Sequence, residues 1–100
     1  MEDSRVMRSL LLDFYGQLLT EKQRECFDLH FNEDLSLSEI AEQSGISRQG
    51  AWDNIRRAEA TLRELEEKTG LVRRVMELER ELEETREELR RVKAGTGGRA

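Results

Sequence analysis

A cluster of basic, polar and aromatic side chains between residues 47 and 57 is the part of this sequence best suited to ligand chemistry. Its members are spaced so that several share one helix face: Ser47, Arg48, Gln49, Trp52, Asp53, Arg56 and Arg57. Arginines and the free N–H groups of a helix N-terminus bind phosphate, glutamine can hydrogen-bond a base edge, and an indole can stack on an unpaired base. These residue types therefore predict a nucleic-acid contact at the start of a helix.

A purely structural interpretation of the same residues stays open. Ser47 can serve only as a helix cap, Asp53 can pair with Arg57, and Trp52 can anchor a protein contact or lie half-buried against the first or last helix. Asp53 and the nearby Glu59 would repel phosphate. The formal net charge is −5, from 22 acidic and 17 basic residues, which also weighs against strong electrostatic binding of nucleic acid.

Two short helices joined by a tight turn must position these side chains. Ser36 and Glu39 have the spacing of a capping box at the start of the first helix. Gly45 then supplies a turn residue that tolerates a left-handed backbone, and Ser47 caps the second helix. This is the pattern of a helix-turn-helix, whose second helix can enter a nucleic-acid groove.

The remaining composition predicts an all-α protein. Proline is absent, which favours helices. Because 39% of residues are charged and only 36% are hydrophobic, part of the chain is expected to be a solvated helix or to lie in an intersubunit contact. Helices are expected over residues 3–15 and from a Thr20 cap, with Gln23 as its capping-box partner, to about residue 32. The predicted inner side of the first helix carries Val6, Met7, Leu10, Leu11 and Phe14. We expect a four-helix domain at residues 1–70.

A narrow apolar stripe follows Gly70. Hydrophobic residues alternate there at spacings of four and three, which is the spacing of a coiled coil, with Thr85 as the one polar substitute. The stripe consists of Leu71, Val75, Leu78, Leu82, Leu89 and Val92. We expect a dimerising helix over residues 71–93 and a disordered tail over 94–100. The alternative is a helix that folds back on its own domain.

The charges beside the stripe favour a parallel homodimer. In a parallel, in-register pair, three kinds of flanking contact would be attractive: Arg74 with Glu79, Glu81 with Arg86, and Glu88 with Lys93. An antiparallel pair centred on the same stripe would place Glu81 against Glu81 and Arg86 against Arg86. Each exposed pair contributes only about 0.2–1 kcal/mol, so the charges set orientation more than stability.

No catalytic or metal-binding constellation is evident in the sequence. Cys26 is the only cysteine, which excludes an internal disulfide, and its apolar neighbours predict a buried thiol. His30 has no ligand-type residue at metal-binding spacing, and a phosphate-binding glycine loop is absent. Paired glutamates such as Glu66 and Glu67 are expected on solvated helix faces rather than in an apolar pocket. We expect a non-enzymatic protein without metal, cofactor or small-molecule substrate. No signal peptide or membrane-spanning run is evident, which predicts a cytoplasmic protein without membrane insertion.

Residues 8–72 resemble a known protein family. The likeness lies in LLLDFYGQLLTEKQRE at 10–25, DLSLSEIAEQSGISRQGAWDNI at 34–55 and EEKTGL at 66–71. These segments are similar to the YlxM-like family of small helix-turn-helix proteins and, more broadly, to the −35 promoter-recognition domain of bacterial sigma factors. Gly50 stands where the family usually has alanine, and Trp52 where it usually has tyrosine.

The resemblance implies an auxiliary or regulatory part in the signal recognition particle pathway, because genes of this family tend to lie beside those of the particle and its receptor. Such a protein would bind the particle's RNA or protein component through the helix-turn-helix. A dimeric DNA-binding transcription regulator is the first alternative. The second is a protein–protein adaptor that does not contact nucleic acid.

Overall fold

The computed structural model describes residues 5–97, which form five α-helices, a 3₁₀ turn at Gly16–Leu18 and no strand. The helices are α1 Arg5–Tyr15, α2 Glu21–Phe31, α3 Leu37–Ser44, α4 Arg48–Thr69 and α5 Leu71–Gly97. The predicted all-α fold is confirmed. Residues 3 and 4, where the sequence predicted the first helix to begin, lie outside the described residues.

Capping boxes begin α2 and α3 where the sequence predicted them. At α2 the Gln23 N–H donates to the Thr20 hydroxyl at 3.1 Å, and the Thr20 N–H donates to the Gln23 side chain at 3.2 Å. Ser36 and Glu39 exchange the same two bonds at α3, at 3.1 and 2.8 Å. Each box satisfies N–H groups for which the helix itself has no acceptor, and it therefore fixes where the helix starts.

Two apolar clusters meet along α4, which is the central helix. The larger joins α1, α2, the middle of α4 and the start of α5 through Met7, Leu11, Tyr15, Leu19, Phe27, Ala58, Leu62 and Val72. The smaller joins α2 and α3 to the first half of α4 through Cys26, Ile40, Ala51 and Ile55. Burial raises the pKa of the Cys26 thiol, as expected for the inert, buried cysteine that the sequence predicted.

The side of α1 that faces the core differs from the prediction. Met7, Leu11 and Tyr15 are buried, whereas Val6 and Phe14 are 59% and 44% exposed. These three buried residues are four apart and form one row on the helix. The hydrophobic pattern alone omitted Tyr15, whose ring packs in the core while its hydroxyl donates to a buried carboxylate of α4.

That carboxylate belongs to Glu66, which the sequence placed on a solvated face. The structure corrects this, because Glu66 is only 8% exposed. Its Oε1 accepts from the Tyr15 hydroxyl at 2.8 Å and from the Val72 N–H at 3.0 Å, and its Oε2 accepts from the Arg73 N–H at 2.9 Å. Glu66 therefore caps the N-terminus of α5, because it accepts from two N–H groups that have no acceptor within that helix. The turn between α4 and α5 is made by Gly70, which adopts a left-handed backbone with φ 65°.

Only the first two turns of α5 pack against the domain. Val72 is fully buried, and Met76 packs against the same cluster. The globular part therefore continues past the predicted boundary at residue 70, because α5 docks through a side of the helix that the apolar stripe does not include. From residue 78 to residue 95 every side chain is exposed, so α5 does not fold back along its own domain.

The free part of α5 sets the shape of the described chain. At 1.5 Å per residue, the stretch from residue 78 onward adds about 30 Å of helix. The longest dimension of the structure is 67 Å, against 29 and 21 Å across it. The helix continues through Gly97 rather than ending at 93, since Ala94 is a strong helix former and no proline intervenes. The rest of the predicted tail, 98–100, lies outside the described residues.

Candidate nucleic-acid interface

The turn between α3 and α4 has the chemistry that the sequence predicted. Gly45 adopts a left-handed backbone with φ 69°, and its N–H donates to the Ala41 carbonyl. The Ile46 N–H donates to the same carbonyl at 3.0 Å. Ser47 then caps α4, since its hydroxyl accepts from the Gly50 N–H at 2.9 Å. The helix-turn-helix geometry is thus set by local hydrogen bonds.

The two sides of α4 have different environments. Ala51, Ile55 and Ala58 are essentially inaccessible and hold the helix against α2 and α3. The predicted site residues lie away from that buried side of α4. Exposed among them are Ser47, Arg48, Gln49, Trp52, Arg56 and Arg57, and Asp53 is partly buried. The structure therefore brings the predicted residues together on one accessible surface, which we call the α4 face.

The three arginines of the α4 face are available for a ligand. Arg48, Arg56 and Arg57 form no hydrogen bond or ion pair with any residue in the part of the chain that the structure describes. Asp53 accepts instead from the Gln49 side chain at 3.2 Å, so the predicted alternative of an Asp53–Arg57 pair is not formed. The guanidinium groups keep all their donors for an incoming anion.

Trp52 lies beside α3 and outside both core clusters. The indole is 41% exposed and borders a shallow groove with Leu37, Arg48 and Gln49. It is not packed into the core against α1 or α5, which was the structural alternative. Its ring N–H has no hydrogen-bond acceptor among the described residues. One edge of the ring and its donor are therefore open to a partner.

A second depression adjoins the first along α4. It is lined by Asp53, Arg56, Arg57 and Ala60. Glu59, which the sequence raised as a source of repulsion, is held by Arg63 through a 2.9 Å ion pair. An aromatic surface and a basic surface thus follow each other on successive turns of one helix. This arrangement can place a base on the indole and the neighbouring phosphates on the arginines.

Two residues of this surface were not predicted from the sequence. Leu37 forms one wall of the Trp52 groove. The sequence feature that could have indicated this is an apolar residue directly after the Ser36 cap, in the first turn of α3. Asn54 donates its side-chain N–H to the Gly50 carbonyl at 2.9 Å. This bond supports α4 at its one internal glycine. The sequence feature that could have indicated it is the spacing of four residues between Gly50 and Asn54, which places them on adjacent turns of the helix.

Gly50 does not kink α4. α4 is continuous from Arg48 to Thr69, and Gly50 donates to the Ser47 cap. A Cβ atom at this position would lie 3.1 Å from the Ser47 hydroxyl oxygen, which is a tight contact with a side chain that can shift. The glycine therefore leaves room for the cap but is not required by the backbone conformation.

Other kinds of site find little support between residues 5 and 97. No group of three or more His, Cys, Asp or Glu side chains is arranged to hold a metal ion, and no helix is long and apolar enough to cross a membrane. A further cavity lies between α1 and the α4–α5 junction. Its walls include Met7, Leu11, Arg63, Glu66, Glu67 and Arg73, and the carboxylate of Glu66 within it is already bonded to three donors.

Comparison with known proteins identifies relatives over most of the chain. Residues 2–95 match the model of the family described as "Putative helix-turn-helix protein, YlxM / p13 like". A UPF0122 protein of Thermoanaerobacter sp. (strain X514) is 49% identical over 83 residues, which are 83% of this chain and 71% of that protein. A UPF0122 protein of Caldanaerobacter subterraneus is 48% identical over 87 residues, 87% and 74% of the two chains. A UPF0122 protein of Acetivibrio thermocellus is 58% identical over 69 residues, which are 69% of this chain and 59% of that protein.

Proposed function

The chain belongs to the YlxM / p13-like helix-turn-helix family, and from that membership we propose that it is a non-enzymatic regulatory or accessory protein that binds structured RNA through the α4 face. The family is described by a helix-turn-helix and not by an enzyme activity. One observation carries the proposal: an exposed indole adjoins arginines that form no ion pair with a carboxylate of residues 5–97. The RNA of the signal recognition particle is the first RNA to test, because the resemblance to this family implies a part in that pathway.

The indole is the reason for preferring RNA to duplex DNA. A tryptophan can stack on a base only if that base is unpaired and turned out, as in the loops and bulges of structured RNA. Such stacking contributes about 1–3 kcal/mol per base. In a DNA major groove the bases present their edges, for which the exposed Gln49 and Arg48 are suited but the large ring of Trp52 is not.

The charge of the α4 face supports a modest electrostatic contribution. If Arg48, Arg56 and Arg57 each contact one phosphate, binding to unpaired RNA falls about 20-fold between 50 and 200 mM salt, given a slope of roughly −0.7 per phosphate. Stacking of a base on Trp52 is largely independent of salt. A protein with net charge −5 needs such a salt-resistant contribution to bind an anionic polymer at physiological salt.

Duplex DNA is the second candidate target. It is supported by the helix-turn-helix geometry and by the accessible start of α4, which is the part of a recognition helix that contacts base edges. With three phosphates per chain and a slope of about −0.9 per phosphate, one chain would lose about 40-fold in affinity over the same salt range. A dimer contacting six phosphates would lose about 2,000-fold, and it would prefer a palindromic site.

The intrinsic fluorescence of Trp52 gives a direct test, because it is the only tryptophan of the chain. We expect signal recognition particle RNA to quench this fluorescence through stacking, and random duplex DNA to quench it weakly. Anisotropy of the same labelled nucleic acids, titrated at several salt concentrations, supplies the affinities. Trp52→Ala should weaken RNA binding 5- to 150-fold, which is the equivalent of about 1–3 kcal/mol.

Matched variants separate the site from general effects of charge and surface. Arg56→Ala combined with Arg57→Ala should lower the salt slope by about 1.4 for unpaired RNA. Phe14→Ala removes an exposed aromatic ring, and Arg80→Ala removes an exposed arginine that has no ion-pair partner within residues 5–97. Both residues lie away from the α4 face, and both variants should leave affinity unchanged. Equal effects of the site and control variants would contradict the assignment. Binding to neither nucleic acid would leave the protein–protein adaptor.

A further inference from the structure

Most of α5 has no partner in the part of the chain that the structure describes. Leu78, Leu82, Leu89 and Val92 are between 46% and 58% exposed, and they lie along one side of the helix. A single solvated helix of about 20 residues is only marginally stable in water, because its formation depends on burying an apolar face. Three heptads of unburied leucine and valine therefore need a surface to pack against.

The way α5 docks leaves this stripe accessible from its first turn. Val72 and Met76 face the domain, and neither belongs to the stripe. Leu71, which begins the stripe, is 50% exposed, and Val75 is partly exposed. The contact between α5 and its own domain therefore does not use the stripe, which is exposed from Leu78 onward.

Ion pairs within α5 lie both on its outer side and at one edge of the stripe. Arg90 contacts Glu83 at 3.3 Å and Glu87 at 3.1 Å, and Arg91 contacts Glu87 at 3.7 Å. In the coiled-coil register these residues lie on the outer side of the helix. Two of the flanking residues are also paired within the helix, since Arg74 contacts Glu77 at 3.2 Å and Glu81 at 4.0 Å. Over residues 5–97, the other four flanking residues form no ion pair, and neither do the outer residues Arg80 and Glu84. These four are Glu79, Arg86, Glu88 and Lys93.

We propose that this stripe binds the same stripe of a second copy of the chain, forming a parallel, in-register coiled coil. The charge pattern selects this occupant and this orientation. Glu81 would face Arg86 of the partner subunit, and Glu88 would face Lys93 of the partner subunit, in both directions across the dimer. In the antiparallel arrangement centred on the same stripe, the residues Glu81 of the two copies meet, and so do the residues Arg86, which disfavours it.

Thr85, the polar residue of the stripe, is compatible with a dry interface. Its hydroxyl donates to the Glu81 carbonyl of the same helix at 2.8 Å. The group therefore carries its hydrogen bond into the interface and leaves no unsatisfied donor there. A threonine also contributes less apolar area than leucine, so the stripe predicts a reversible dimer rather than a permanent one.

The pairing places both domains at the same end of the coiled coil. Each α5 is attached to its own domain at the N-terminal end of the helix. Because the two helices run parallel, both domains and both α4 faces would lie near the same end of the dimer. This inference does not depend on the proposed function, since it concerns a different surface. Two copies of a weak nucleic-acid contact would act together on one target, which raises its effective affinity.

Sedimentation equilibrium of the full chain without nucleic acid, over about 1–200 µM, is the test. We expect a concentration-dependent monomer–dimer equilibrium for the natural chain and a monomer at all concentrations for Leu82→Glu. We expect the Leu82→Glu domain to remain folded, because Leu82 lies outside both core clusters. Far-UV circular dichroism and thermal unfolding check this. A natural chain that is monomeric throughout this range would overturn the proposal.

Charge variants test the orientation. Arg86→Glu should weaken the dimer roughly tenfold, because it replaces two attractive contacts with repulsive ones, and Glu81→Arg added to it should restore the dimer. Arg80→Glu is the matched control on the outer side of α5 and should have no effect. In an antiparallel dimer the double variant would not restore association.

Cross-linking gives a second readout of the orientation. Leu89→Cys should form a disulfide between copies only if the helices are parallel and in register. Cys26 is buried and should not compete for this disulfide. Failure of both restoration and cross-linking contradicts the parallel pairing.

Discussion

At the scale of single residues, Glu66 shows how a carboxylate can be both buried and ionised. Burial alone raises the pKa of its carboxyl, but the hydrogen bonds from the Arg73 N–H, the Tyr15 hydroxyl and the Val72 N–H lower it by more, and the net pKa lies below the ordinary value. The charge also lies at the positive end of α5. Glu66 therefore joins three helices at a point where no hydrophobic residue could satisfy the exposed N–H groups.

We expect Glu66→Gln to destabilise the domain by about 1–3 kcal/mol, because an amide cannot accept from all three donors and directs its own N–H groups at one of them. Urea unfolding at pH 7 measures this loss. Glu67→Gln is the matched control, since Glu67 is exposed, and it should change the free energy of unfolding little. Equal losses in the two variants would show that the buried hydrogen bonds of Glu66 do not stabilise the junction.

The stability contributed by the Glu66 charge should depend on pH in a defined direction. Its pKa is lower in the folded state than in the unfolded chain, so unfolding binds a proton between the two values. The contribution is complete above the unfolded pKa, near 4.3, and is lost as the pH falls through the folded pKa. The stability difference between the natural chain and Glu66→Gln should therefore shrink as the pH is lowered from 6 to 3. A difference that stays constant over this range contradicts the assignment.

At the scale of elements, α4 can combine its structural role with the proposed recognition role because its two sides differ. Its buried side carries small and branched residues that allow close approach of α2 and α3, while its outer side carries Trp52 and the arginines. The start of the helix depends on one cap, Ser47, and on a glycine three residues later. Changes at this end should alter stability and recognition together, since the first two turns bear most of the α4 face.

Gly50→Ala tests this end of α4. Alanine favours the helix by about 1 kcal/mol over glycine, but its Cβ would lie 3.1 Å from the Ser47 hydroxyl oxygen. Because that oxygen belongs to a side chain that can move by a few tenths of an ångström, we expect a net gain in stability of about 0.5 kcal/mol. Thermal unfolding of the natural chain and the variant measures it, and a loss of stability would mean that the cap cannot adjust.

At the scale of the whole molecule, α5 carries two different surfaces: its first two turns complete the core of one chain, and its free length presents the stripe for which we propose a second copy. The domain buries its apolar clusters without help, whereas the stripe of α5 stays exposed over about 20 residues. A dimer through this stripe would double the number of phosphates that one assembly contacts. Oligomeric state and salt dependence of binding are therefore linked.

This link predicts the salt slope of Leu82→Glu. If both proposals hold, the monomeric variant should bind nucleic acid with half the salt slope of the natural chain, because it contacts half the phosphates. Anisotropy titrations between 50 and 200 mM salt measure both slopes, with Arg80→Glu as a control that keeps the dimer. Identical slopes in all three proteins would separate dimerisation from nucleic-acid binding.

The sequence by itself determined the features whose partners lie within a few residues. The capping boxes at Thr20 and Ser36, the left-handed glycine at 45 and the Ser47 cap each depend on contacts over three to five positions, and all are present in the structure. The membership of the α4 face also follows from helical periodicity. Such contacts form whatever the rest of the chain does, so pattern and residue type are sufficient to predict them.

Only the tertiary structure decided the contacts between distant segments. Tyr15 and Glu66 are 51 residues apart, so no local pattern could show that they bond or that Glu66 is buried. The same holds for the side of α1 that faces the core, for Val72 as the anchor of α5, and for the absence of an Asp53–Arg57 pair. Each depends on which helix faces are buried against each other, and that choice is made by the packing of the whole domain rather than by the periodicity of any one helix.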